Sequence, residues 1–369
     1  MISPLSPELN NLIGSPYDDL SDFFIGIDQK KFRAKQLMSW VYDLGVYDFQ
    51  LMTNFNTSLR DYLEENCTLS FDQPSTLEQS KDGTCKWLIP KDKTQVIETV
   101  YIPEENRGTL CISSQIGCLI DCPFCATGHQ GFNRNLSTSE IIGQVLVAKQ
   151  DLKKRFKRDD LVTNVVFMGM GEPLANYTET IKAIKTLNHP NGFNISRRRI
   201  TLSTSGLVPQ LIKLSEQVNV ALAVSLHAPN DALRNELVPI NRKHPINELL
   251  DACWLYAKKQ NLRTVTFEYT MLKGVNDSKD HAHELAKLLK NKPAKVNLIP
   301  FNSFPGVNYE CSTRDNINEF RNILIESGIM TITRKTRGDD IQAACGQLSG
   351  LVNNLAKKSL RQKLKRPLN

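Results

Sequence analysis

Three thiols crowd into one short loop, Cys118-Leu119-Ile120-Asp121-Cys122-Pro123-Phe124-Cys125. Thiolates are soft ligands. Spacings of three and two intervening residues let a loop wrap an iron–sulfide cube while supplying only three of its four iron ligands, which leaves one iron open to a small molecule. The rival is zinc, for which Cys118, Cys122 and Cys125 with His129 would complete a Cys3His set. A second motif is Met168-Gly169-Met170-Gly171-Glu172-Pro173-Leu174, a glycine-rich turn carrying one carboxylate. Two more cysteines stand in distinctive surroundings, Cys111 opening Cys-Ile-Ser-Ser-Gln-Ile-Gly and Cys345 ending Asp340-Ile341-Gln342-Ala343-Ala344-Cys345. Singly, each reads as a small buried hydrophobe. They are so far apart in the chain that only the fold could bring them together.

The chain that must position these groups has 369 residues, enough for two domains or one large domain with an appendage. Hydrophobic residues at 40% and charged residues at 23% exclude disorder, collagen and coiled coil. The most apolar stretches, such as Val220 to Val224, fall far short of the roughly 18 residues of a membrane span. The amino terminus lacks a basic segment followed by an apolar one. Neither secretion nor a membrane role is expected. Nine cysteines, an odd count without a signal peptide, place the chain in the reducing cytoplasm, where thiols serve metals or catalysis. Most of the net charge of +7 sits in residues 351–369, which hold Lys357, Lys358, Arg361, Lys363, Lys365 and Arg366 and no acid.

Periodicity divides the chain into four. Residues 1–66 read as a helical accessory domain, with Leu37, Trp40 and Val41 at helical spacing and Leu59, Tyr62 and Leu63 repeating it. Residues 67–108 read as a β-hairpin connector, Cys85 to Pro90 and Gln95 to Ile102 flanking a polar turn. Residues 109–350 alternate β-like runs with helical ones. Strands are expected at Leu110 to Ser114, Asn164 to Met168, Arg199 to Ser203, Val218 to Ser225, Thr264 to Thr270 and Lys295 to Pro300. Six β-then-α units predict a parallel sheet with its chemistry at the carboxyl ends of the strands. Periodicity leaves a doubly wound sheet and a partial barrel open. Residues 351–369 form a basic tail.

Cys-x-x-x-Cys-x-x-Cys after the first strand of such a chain resembles the signature of the radical S-adenosylmethionine (SAM) superfamily. Gly171-Glu172-Pro173, one unit later, resembles the segment that pairs with the amino group of SAM. With Cys111 and Cys345 included, the stretch from Glu98 to Leu348 closely resembles the adenine-C2 methyltransferases that modify ribosomal and transfer RNA. The resemblance implies a radical-SAM partial (βα)6 barrel, one [4Fe-4S] cluster on Cys118, Cys122 and Cys125, and two SAM molecules per turnover. It implies cofactor contacts from Gly171, Glu172, Ser203, Ser225, Leu226, His227 and Asn302. It also implies an outside electron donor such as flavodoxin or ferredoxin, and a monomer.

Adenine C2 lies between two ring nitrogens and is electron-poor, so polar methyl transfer fails there and a carbon radical succeeds. The mechanism implied by the resemblance has one SAM methylate Cys345. A radical derived from the second SAM removes a hydrogen atom from that S-methyl group, and the resulting carbon radical adds to C2. After an electron is lost, Glu98, in Val96-Ile97-Glu98-Thr99-Val100, would remove the C2 proton to leave a covalent thioether between RNA and protein; the residue alone reads as an ordinary solvent-facing strand carboxylate. Cys111 would release the product through a transient disulfide. Two alternatives remain. The sister adenine-C8 activity is disfavoured by Pro173 and by Gly131-Phe132-Asn133-Arg134-Asn135-Leu136, which look more like the C2 branch. A non-catalytic zinc-stabilised RNA-binding protein would leave Cys111, Cys345 and the Gly-Glu-Pro turn without a purpose. RNA as a partner finds further support in three basic runs, at Lys153 to Arg158, at Arg197 to Arg199, and at Arg334, Lys335 and Arg337.

Overall fold

The computed structural model describes residues 9–350, so the basic tail lies outside the described residues. Helices α1 (Tyr17–Gly26), α2 (Phe32–Met38) and α3 (Thr57–Asn66) form the amino-terminal unit, and Asn10–Asn11 pairs with Cys67–Thr68 to close it. Apolar side chains at helical spacing turn inward, and Leu20, Phe24, Leu37, Leu59 and Leu63 are buried. After Met38 the turns widen into a π-helical segment, Ser39–Asp43. The unit docks on the rest of the chain through Tyr42, whose ring packs at a tilt against Phe193 with centroids 4.8 Å apart, through the Asp19–Lys182 ion pair at 2.8 Å, and through Thr186, whose hydroxyl donates to the Gly14 carbonyl.

Ten strands make one continuous sheet. β1 (Thr76–Gln79), β2 (Cys85–Asp92), β3 (Gln95–Glu104) and β4 (Arg107–Cys111) are antiparallel neighbours. β5 (Asn164–Phe167), β6 (Ile200–Thr204), β7 (Ala221–Ser225), β8 (Val265–Met271), β9 (Ala294–Pro300) and β10 (Met330–Thr333) continue from β4 in parallel. Sequence neighbours are sheet neighbours throughout. A doubly wound sheet would reverse direction at a switch point. Here every crossover advances the same way, and the wall curls as a partial barrel. The hairpin expected as a connector is hydrogen-bonded into this wall and extends it beyond the first barrel strand.

The crossover helices are α4 (Thr138–Phe156), α5 (Tyr177–Asn188), α6 (Val208–Gln217), α7 (Ile246–Lys259), α8 (Lys279–Leu289) and α9 (Arg314–Glu326). α4 starts where Ser137 and Glu140 form a reciprocal capping box and ends with Lys157 in the left-handed region. The run Lys153 to Arg155 occupies its last turn, where positive charge complements the carbonyl dipole. Ion pairs Lys153–Asp159, Arg155–Asp151 and Arg158–Asp160 neutralise much of this first basic run locally. The second run, Arg197–Arg199, is an exposed turn before β6. β10 was not expected; its four residues include the exposed Met330 and Ile332, which leave no inward apolar signal. No described helix is long and apolar enough to cross a membrane.

Candidate active site

The cysteine loop leaves the barrel after β4 and is closed by Gln115–Gly117 pairing with Phe132–Asn135. Gly128 is necessary in this loop, because a Cβ there would lie 2.7 Å from the Cys122 carbonyl oxygen. Cys118, Cys122 and Cys125 border one cavity together with Gly171, Glu172, Ser203, Ser225 and His227, enclosing about 880 Å³ of atom-free space partly open to solvent. Burial pushes the Cys118 thiol up to about 12, and burial with the two neighbouring thiols pushes Cys122 well above its ordinary value. Three soft thiol side chains on the wall of one open volume fit a cluster that carries its own bridging sulfides. His129 points its Nε2 at the Pro123 carbonyl, 2.6 Å away, and its ring edge at Phe304.

Glu172 sits at the end of β5, 2% exposed, with its carboxylate held by three donors. Leu174 N–H at 3.0 Å and the Thr204 hydroxyl at 2.8 Å donate to Oε1, and Ser205 N–H at 2.7 Å donates to Oε2. Burial raises its pKa, opposed by those donors. Gly171 makes the approach possible: its φ is +97°, and a Cβ would lie 2.5 Å from that of Gln115, whose Oε1 accepts from Glu172 N–H. His227 is buried with φ +57°, and its Nδ1 accepts from Thr270 N–H at 3.0 Å, so the proton is on Nε2. Burial depresses its pKa to about 3, keeping the ring neutral. The cavity therefore presents a carboxylate suited to an ammonium, a neutral N–H donor and the hydroxyls of Ser203 and Ser225. Leu226 is fully buried and does not line this cavity; its carbonyl accepts from Arg234 Nε.

A second cavity, about 1640 Å³ of atom-free space, opens along the barrel interior. Cys111 and Cys345 both line it, and Cys345 also lines the first, along with Met168, Glu268, Ile299 and Arg334. Burial and the neighbouring Cys345 push the Cys111 thiol up to about 12. The Cys345 segment is held from two sides. Ala126 N–H donates to Gly346 O at 2.8 Å and the Thr127 hydroxyl to Leu348 O, while Asn302 Nδ2 donates to Cys345 O at 3.1 Å and Gln347 Nε2 to Ser303 O at 3.0 Å. Asn302 borders only the second cavity. All nine cysteines are free.

Glu98 is not solvent-facing: it is 4% exposed, beneath the Cys345 segment. Its Oε2 accepts from Ser349 N–H at 3.2 Å and its Oε1 pairs with Lys86 Nζ at 3.6 Å. Burial raises its pKa, and Lys86 lowers it. Ser113 ties the parts together, its hydroxyl donating to Glu98 O and accepting from Met170 N–H, while Gln144 of α4 clamps both Ser113 backbone groups.

Several participants escaped sequence reasoning. Lys86 and Glu268 are charged residues inside strands, Thr204 and Ser205 are turn residues, and Arg234 lies on a short helix. Arg234 is fully buried and donates to the Ser205, Ser225 and Leu226 carbonyls, binding two strand ends beside Cys122. Alternation could have flagged Glu268 as an acid on an inward face.

Comparison with known proteins agrees with this geometry. Residues 10–69 match the family model of the ribosomal RNA large subunit methyltransferase N-terminal domain, and residues 112–288 match the radical SAM superfamily. The dual-specificity RNA methyltransferase RlmN of Francisella tularensis subsp. novicida is 51% identical over 345 residues, 93% of each chain. The chain belongs to the RlmN family. RlmN of Ruthia magnifica subsp. Calyptogena magnifica is 50% identical over 95% of this chain and 98% of its own. The crystal structure of a radical SAM methyltransferase from Sphaerobacter thermophilus superposes with a TM-score of 0.84 at 42% identity, covering 92% of this chain and 99% of that one. Family membership sets aside the zinc-stabilised binding module.

Proposed function

We infer that this chain is a radical SAM methyltransferase acting on C2 of adenine in large-subunit ribosomal RNA and in transfer RNA next to the anticodon. The observation that carries this reading is the meeting of Cys111 and Cys345 on one cavity, with Cys345 also facing the cavity of the three loop thiols. Cys118, Cys122 and Cys125 would hold a [4Fe-4S] cluster and Glu172, Ser203, Ser225 and His227 a SAM molecule, which together supply the one-electron chemistry an electron-poor carbon needs. Cys345 carries the methyl group, its loop held over both cavities by Asn302 and Gln347. Once the radical adduct has given up an electron, Glu98, lying beneath the Cys345 segment, takes the C2 proton. Cys111 then attacks the sulfur of Cys345; the sulfur–carbon bond breaks with its electron pair on carbon, which takes a proton and leaves as the methylated base. An outside flavodoxin or ferredoxin is the expected reductant, and the enzyme works as a cytoplasmic monomer.

The test is Cys111→Ala. This variant accepts methyl on Cys345 and attacks adenine but has no thiolate to release it, so it accumulates RNA attached through Cys345 that survives denaturation. Normal turnover, or no adduct despite an intact cluster and a methylated Cys345, refutes the two-cysteine reading.

A further inference from the structure

Glu268 and Asn297 face each other in register on β8 and β9, midway along the barrel wall. Asn297 Nδ2 donates to Glu268 Oε1 at 2.9 Å, which engages one oxygen of the carboxylate and one N–H of the amide. The other two atoms, Glu268 Oε2 and Asn297 Oδ1, are buried acceptors without a hydrogen bond. The residues are 4% and 9% exposed. Arg334 Nη1 stands 3.8 Å from Oε2, close enough for an ion pair and too far for a hydrogen bond. Leaving two neighbouring acceptors unpaired inside a fold is costly, and such groups call for a ligand that donates.

Both residues line the second cavity, as do Cys111 and Cys345, and Asn297 does not border the cavity of the loop thiols. Lys295, Lys335 and Arg337 line the same space, which suits an occupant carrying phosphate. We propose that Glu268 Oε2 and Asn297 Oδ1 receive the two N–H bonds of the 6-amino group of the target adenine and select that base. The inference rests on the RNA methyltransferase reading and adds how the base is recognised. In adenine, C2 and C6 are separated by one ring nitrogen, so a single seated base offers C2 to Cys345 while its amino group meets the two acceptors. Hypoxanthine would set a carbonyl oxygen against both acceptors. A purine without a 6-substituent would leave them unpaired.

The test uses the holoenzyme with a stem-loop RNA whose target adenosine is kept or replaced by purine riboside, under single turnover. Wild type should lose about tenfold to a hundredfold in rate on purine riboside, the size of one bidentate base contact. Asn297→Ala and Glu268→Gln should lose a similar factor on adenosine but little more on purine riboside, so that discrimination collapses. Equal rates of wild type on the two RNAs, or variants that slow both alike and keep the discrimination, overturn the proposal. SAM affinity of Asn297→Ala should match wild type; a parallel fall assigns the acceptors to the cofactor and also overturns it. Melting curves and Cys345 methylation, measured on the same samples, report folding. If wild type methylates no adenosine in either RNA class, it is the broader functional reading that fails.

Discussion

Replacing Glu172 by Gln separates binding from stability. The carboxylate accepts from Leu174 N–H, the Thr204 hydroxyl and Ser205 N–H, and its free face looks into the cavity of the loop thiols. An amide keeps one oxygen. Whichever way it turns, its NH2 group confronts at least one of those donors, and it offers no charge to the ammonium of SAM. Loss of a hydrogen bond to a charged group costs about 1.5–3 kcal/mol, or roughly tenfold to a hundredfold in SAM affinity. The fold responds differently. Burial raises the folded pKa of Glu172, so its linkage contribution to stability is present at low pH and is lost as pH rises through the folded value; at neutral pH the ionised group is a burden. Gln removes that burden while giving up a donor contact, and the two changes oppose each other. Calorimetric titration of SAM into the cluster-loaded protein should show the weaker binding, and melting curves should move little. An affinity within threefold of wild type would refute the assignment of Glu172 to the amino group.

Other expectations follow from the same geometry. Cys118→Ala, Cys122→Ala and Cys125→Ala should each lose iron and sulfide and all methylation while keeping wild-type circular dichroism, since the core lies in the β/α units; full activity in any one ends the radical reading. As the proposed base, Glu98 must be ionised, and burial raises its pKa, so the single-turnover rate should fall with acid at a higher pH than an exposed glutamate would give. Lys86→Met removes the charge that opposes the rise and should move that acid limb to still higher pH; a shift to lower pH contradicts the Glu98–Lys86 pairing. Gly171→Ala, with its φ of +97° and a Cβ 2.5 Å from that of Gln115, must displace Gln115 and with it Glu172. That strain is of order 1–3 kcal/mol and should appear as weaker SAM binding together with a lower melting temperature.

What sequence alone determined here is local chemistry. A loop with three thiols at short spacing is a ligand set whatever surrounds it, and a run of β/α units implies a parallel sheet with its chemistry at the strand ends. Six of the barrel strands were legible because their β-rich runs alternate with helical periodicity. β10 was missed, being short and half exposed, and strand order could not be read because periodicity carries no information about which strands pair. The tertiary structure decided that order, and with it the curl that distinguishes a barrel wall from a doubly wound sheet. It also decided burial. Glu98 reads as a surface acid by alternation, yet the Cys345 segment covers it and Lys86 from the adjacent strand neutralises it. The approach of Cys111 to Cys345, and of Glu172 to the donors of the next strand end, depends on contacts between residues remote in the chain. Spacing along a chain describes only what a few bonds can reach, whereas these contacts are set by how the whole sheet closes.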